Sequence, residues 1–92
     1  MATITVKLPT QLRDATGGQA QVTGEGATVG EVLESLYGRF EPLRARLTDG
    51  DGGLRRFVNV YVGGEDIRFL DGLQTPVEDG AELNVLPAVA GG

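Results

Sequence analysis

The 92-residue chain contains no cysteine and no histidine. Without cysteine there is no disulfide framework, no CxxC site and no thiol nucleophile. Without histidine, the commonest general base and the other usual zinc ligand are missing as well. No apolar run approaches the roughly 20 residues of a membrane-spanning helix. The opening MATITVKLPT has no secretory apolar core, so a cytoplasmic location is expected. Basic charge is scarce: 8 Lys and Arg against 13 Asp and Glu give a formal net charge of −5. Such a chain repels phosphate. Nucleic acid and anionic membranes are disfavoured as partners, and a basic protein surface is favoured.

What remains is ordinary for one small globular domain: 40% hydrophobic and 23% charged residues. Residues Thr3 to Leu8 alternate, with Ile4, Val6 and Leu8 on one face, and predict a half-buried strand closed by Pro9. A second strand around Gln19 to Thr23 is expected to pair antiparallel with it. TVGEVLESLYGRF predicts a helix opened by a capping box, Thr28 with Glu31. Val29, Val32, Leu33, Leu36, Tyr37 and Phe40 share its apolar face. Gly38 is the expected stop, and Pro42 resists continuation. PLRARL predicts one or two further helical turns, and TDGDGG a loop.

RFVNVYV alternates again, with Val58, Val60 and Val62 on one face and Phe57, Asn59 and Tyr61 on the other. Gly63-Gly64 predicts a tight turn, DIRF a short edge strand, LDGLQTPVEDG an irregular stretch, and AELNVL a last strand with Leu83 and Val85 inward. One helix cannot cover both faces of a sheet. The economical packing is an α+β domain of two layers, a mixed sheet curled over a single main helix. The boundaries expected are a domain over 1–86 and a flexible tail over 87–92.

Several motifs fail on spacing. GEGATVG puts Val29 where a dinucleotide fingerprint needs its third glycine. DGDGG from Asp49 lacks both the glycine and the glutamate that a calcium loop requires, Leu54 and Val60 standing there instead. Glu65-Asp66 and Glu78-Asp79 lie at turns and suit a solvated surface better than acid–base work. Arg55-Arg56, beside Phe57, suits a salt-bridged surface pair better than an RNA contact. The side chains thus offer no convincing active site.

The terminal carboxylate of LPAVAGG is the remaining reactive group. It is ionised at neutral pH and becomes an electrophile only once its oxygen is made a leaving group. Adenylation by ATP does that. The chain has no P-loop, so a partner must supply the ATP site, and no cofactor is expected on the chain itself. Gly91 and Gly92 have no Cβ and can thread a narrow channel. Ala88, Val89 and Ala90 are small enough to follow, and Pro87 stiffens the exit. Six extended residues reach about 20 Å. Frayed ends also carry glycine, so the pair alone is only suggestive.

RFVNVYVGGEDIRFLDGLQTPVEDGAELNVLPAVAGG, from Arg56 to Gly92, resembles the MoaD/ThiS group of ubiquitin-like sulfur carriers. FVNVYV, EDIRF, the turn from Pro76 to Gly80 and LPAVAGG carry the likeness. The first half matches in element order and in TVGEVLESL. The middle segment LRARLTDGDGGLRRFVNVYV is most similar to the actinobacterial carriers that serve cysteine synthesis. Ala81 departs from the Asp common after Asp-Gly.

The resemblance implies a ubiquitin-like β-grasp fold with four to five strands on one main helix. It implies that Gly92 is adenylated by a ubiquitin-activating-type adenylyltransferase and sulfurtransferase, then converted to a thiocarboxylate. That sulfur would attack activated serine on a pyridoxal-phosphate synthase, and a metallopeptidase would release the product. Other sulfur-incorporating enzymes, thiosugar synthases among them, are further acceptors. The chain would be a protein cosubstrate and not an enzyme. Two alternatives stand beside it: the small subunit of molybdopterin synthase, and a ubiquitin-like modifier conjugated through Gly92.

Overall fold

The computed structural model describes residues 2–48, 53–55 and 58–87. Five strands form one mixed sheet: β1 (Ala2–Lys7), β2 (Gln21–Gly26), β3 (Val58–Val62), β4 (Glu65–Asp66) and β5 (Glu82–Pro87). Their order is β2-β1-β5-β3-β4. β1 pairs antiparallel with β2 and parallel with β5; β3 pairs antiparallel with β5 and β4. The expected antiparallel β1–β2 pair is present, but β2 starts at Gln21 and runs on through Gly24 and Gly26. Two helices, α1 (Val29–Arg39) and α2 (Glu41–Leu47), cover one face.

The apolar phases of the sequence meet in that layer. Ile4, Val6, Leu83, Val85, Val58 and Val60 come from the sheet; Val29, Val32, Leu33 and Leu36 come from α1; Leu43 and Leu47 come from α2, and all are at most 5% exposed. Burying such side chains contributes about 1.5–3 kcal/mol each relative to exposure. The helix start behaves as expected. The Glu31 amide donates to the Thr28 hydroxyl at 3.2 Å, and the Glu31 carboxylate accepts the Ala27 amide at 2.9 Å.

Gly38 is not the stop. α1 continues through it to Arg39 and ends at Phe40, whose amide bonds the Leu36 carbonyl at 2.7 Å. Gly38 keeps helical backbone, with no positive φ. Pro42 stands in the first turn of α2, where its missing N–H costs nothing. DIRF is not a four-residue strand either. Pairing stops after Asp66, whose carboxylate accepts the Arg68 amide at 2.9 Å and turns Ile67–Phe69 into a 3₁₀ turn. Thr10–Thr16, closed by Gly17 at φ 72°, is a further 3₁₀ segment. Leu12 and Ala15 are its buried apolar pair.

Both sheet edges are guarded. On β2 the Thr23 carbonyl accepts Arg39 at 2.7 Å, and the Glu25 amide donates to the Ser35 hydroxyl at 3.0 Å. On the other side β4 is two residues long, and Arg68 bonds the Val58 carbonyl at 2.9 Å. Exposed ladder groups invite strand addition, and here α1 and the turn after β4 occupy them. Arg55 donates to the Ala45 carbonyl and forms no ion pair among the described residues, against the salt-bridged surface role expected of it. Asp79 likewise has a structural task, accepting the Thr3 amide at 2.8 Å.

Candidate functional site

The expected site begins where β5 ends. Of the tail, Pro87 is the last strand residue and pairs with Val58. Ala88, Val89, Ala90, Gly91 and Gly92 lie outside the described residues, as do Arg56, Phe57 and the 49–52 part of the DGDGG loop.

The register explains why proline is tolerated at the root. The Val58 amide bonds the Arg55 carbonyl and the Val58 carbonyl accepts Arg68, so both ladder groups of Val58 point away from β5. Val58 and Pro87 therefore form a non-hydrogen-bonded pair. The proline nitrogen faces the β1 side, where pairing has already stopped at Asn84. No ladder bond is lost.

The side chains opposite the core form the face beside this root. Leu83 and Val85 point inward, so Glu82, Asn84 and Leu86 point out, next to Asn59 and Tyr61 of β3 and Thr5 and Lys7 of β1. Lys7 and Glu82 are 3.3 Å apart and half-exposed, a pair contributing about 0–1 kcal/mol. Leu86 is 46% exposed, one residue before Pro87, and directly opposite Asn59. Phe69 and Leu70, at the turn after β4, are 86% and 40% exposed. These three are the exposed large hydrophobics among the described residues. Sequence reasoning missed them as a group. The signal existed for Leu86, an apolar residue in the polar phase of AELNVL. Phe69 and Leu70 were obscured by reading DIRF as a strand.

Side chains that could hold a metal are not gathered: no cluster of three or more Asp or Glu suited to an ion occurs among the described residues. No described helix is long and apolar enough to cross a membrane. The chemistry available at this end of the sheet is that of an anchored strand delivering a small-residue segment, beside a partly apolar face that a protein partner could cover.

Comparison with known proteins shows the family. The model of the ThiS family matches residues 6–92. The sulfur carrier protein CysO of Mycobacterium bovis is 47% identical over 91 residues, covering 97% of this chain and 98% of the relative. Small archaeal modifier protein 3 of Haloferax volcanii is 43% identical over 68 residues, covering 74% and 73%. The crystal structure of the Amycolatopsis orientalis BexX/CysO complex contains a chain 48% identical, with a TM-score of 0.88, covering 97% of this chain and 99% of that one. The chain belongs to the ThiS family, has its ubiquitin-like β-grasp fold and is a CysO-like sulfur carrier protein.

Proposed function

We propose that the carboxylate of Gly92 is the working group, adenylated by a partner and converted to a thiocarboxylate. The carboxylate oxygen attacks the α-phosphorus of ATP and pyrophosphate leaves. A sulfur nucleophile then displaces AMP at the acyl carbon. ATP belongs to a ubiquitin-activating-type partner with adenylyltransferase and sulfurtransferase activity; the carrier itself binds no cofactor. The acyl sulfur is then the nucleophile toward an acceptor. The most direct acceptor is activated serine on a pyridoxal-phosphate synthase in cysteine synthesis, with a metallopeptidase releasing the product. Other sulfur-incorporating synthases are further acceptors. The setting is the cytoplasm.

The observation that carries this reading is near full-length likeness to CysO. Geometry supports it. β5 is held to its last residue, and any five residues beyond it, if fully extended, would reach roughly 17 Å at about 3.3–3.6 Å per residue. A partner seated on the face around Leu86 could therefore receive the carboxylate in a buried channel. The complex of the Amycolatopsis CysO with BexX supports a carrier that works while held by another protein.

Intact mass measurement of the protein from its native host tests the proposal. Exchange of one oxygen for sulfur at Gly92 is expected, and deletion of Gly92 abolishes it while leaving the fold intact. Gly91→Val is expected to block loading, since its Cβ branches fill the channel; normal loading would refute threading. A second reading rests on the likeness to a small archaeal modifier protein. Conjugation through Gly92 predicts isopeptide-linked ladders in lysates and no thiocarboxylate. The small subunit of molybdopterin synthase predicts stable co-purification with a large catalytic subunit.

A further inference from the structure

A groove with a cavity volume of about 630 Å³ lies on the helical side of the molecule, against α1 and the 3₁₀ turn Gly72–Gln74. Leu54 and Leu73, both half-buried, form its apolar wall. Leu73 comes close because position 30 is glycine: a Cβ there would lie 3.1 Å from the Leu73 carbonyl oxygen. Glu25, Glu31 and Glu34 also line it, and no lysine or arginine does among the described residues. Glu34 is paired with Arg44 at 3.3 Å, and one oxygen of Glu31 accepts the Ala27 amide. Glu25 lines it from the edge strand, in register with Thr3, so that its side chain takes the opposite face of the sheet.

Tyr37 supplies an independent observation. It lines the groove and is 5% exposed, yet its hydroxyl has no hydrogen-bond partner among the described residues. Because no fully buried polar side-chain atom there is left unpaired, that hydroxyl opens to solvent. The Arg44 guanidinium lies over its ring, 5.0 Å from the centroid. Burial, with the charge of Glu34 adding and that of Arg44 opposing, pushes the phenol up to about 12. At neutral pH it keeps its proton, and its oxygen is free to accept from a cation.

We infer that this groove docks a partner protein through an amphipathic segment, whose aliphatic side chains cover Leu54 and Leu73 and whose lysine or arginine head meets the acidic rim of Glu31 and Glu34 beside the Tyr37 hydroxyl. Charge selects this occupant. The groove is acidic in a chain of net charge −5, so a neutral or acidic segment would leave carboxylates desolvated and unpaired. An apolar wall with a charged rim is also the form that amphipathic helices recognise. The site shares no lining residue with the Leu86 face. It does not depend on the sulfur chemistry, so a carrier could be held here while its tail is used.

The test titrates the isotope-labelled chain with a capped 12-residue peptide carrying leucine and lysine at helical spacing. One control replaces each lysine by glutamate; a second keeps the lysines and replaces leucine by serine. The lysine–leucine peptide is expected to shift the amides of Gly30, Leu33, Glu34, Tyr37, Leu54 and Leu73 saturably, and both controls to bind at least about tenfold more weakly. Tyr37→Phe with Glu34→Gln keeps the ring and the helix and is expected to weaken binding by about tenfold, the loss of a charged hydrogen bond. Retention of the wild-type melting temperature separates that loss from misfolding. Unsaturable shifts spread over all acidic surfaces, equal binding of the serine control, or an unchanged double variant would each overturn the inference.

Discussion

Gly26→Ala should be far more damaging than its chemistry suggests. At Gly26 an added Cβ would stand 2.6 Å from the Glu31 Cβ and 2.8 Å from the Glu31 carbonyl carbon and the Val32 nitrogen. Two of those three atoms belong to the α1 backbone, so no side-chain rotation relieves the clash. The helix must move off β2 by about 1 Å to reach ordinary contact distance. That move drags Val29, Val32, Leu33 and Leu36, each at most 1% exposed, out of their packing. Overpacking costs about 1–3 kcal/mol, and backbone obstruction places this site at the upper end. Since φ at Gly26 is not positive, alanine adds no backbone strain and gains about 0.4–1 kcal/mol from a less flexible unfolded chain. The net expected loss is about 2 kcal/mol. Gly38→Ala is the matched control. Its Cβ meets nothing within 4 Å, and it lies inside α1, so it should stabilise by about 0.5–1 kcal/mol. In urea or thermal unfolding, Gly26→Ala should lower the midpoint by roughly 8–16 °C, at about 4–8 °C per kcal/mol for a domain of this size, while Gly38→Ala raises it. Equal stability of the two variants would refute the account of α1 lying against a strand chosen for its missing side chains.

Leu36→Ala empties a fully buried position under α1 and should cost about 2–5 kcal/mol in denaturant unfolding; a near-zero cost would contradict the helix-face assignment. Tyr37 should titrate near 12, followed as tyrosinate absorbance in a Tyr61→Phe background. A phenol raised in the folded state from 10.0 contributes stability fully below pH 10 and loses it as pH climbs through about 12. Urea midpoints should therefore fall across that window, and fall less in Tyr37→Phe; identical alkaline slopes would show that burial does not hold the phenol neutral.

Periodicity carried most of the fold. Strict alternation in β1, β3 and β5, and the capping box with its apolar face in α1, were legible because each repeats a single physical demand several times over. The failures share a cause. Gly24 and Gly26 read as loop residues because glycine is a poor strand former, yet here the strand needs them for α1 to come close. Gly38 read as a stop because helices often end at glycine; α1 instead ends when Phe40 turns its side chain against the core and Pro42 starts the next helix. DIRF read as a strand because Ile67 and Phe69 alternate, whereas the Asp66 side chain captures the Arg68 amide and curls the chain. In each case a tertiary or side-chain contact overruled a local preference. The tail residues were singled out by chemistry, without any periodic signal. The groove at Tyr37 had no such signal, since its walls come from Glu25, α1, Leu54 and Leu73, which are scattered along the chain.

The strand order bears on why the two glycines stand at the far end of the tail. β5 lies between β1 and β3, so a partner drawing on the tail works against a strand held on both sides over Leu83 and Asn84. The hold then tapers. Beyond Asn84 β1 contributes nothing further, β3 alone continues, and its last partner is Pro87 in a pair that needs no hydrogen bond. The last described residues of the strand, Leu86 and Pro87, include no glycine. If Gly91 and Gly92 served mobility, they would be expected at that end of the strand, where a hinge would free the whole segment. On the proposed function, their place next to the terminal carboxylate would answer a different demand, a partner's channel too narrow for a Cβ. The two demands separate by experiment. A glycine pair moved to positions 88 and 89, with alanine at 91 and 92, keeps a flexible root and should still fail to load, whereas Ala88→Pro stiffens the root and should slow loading without abolishing it.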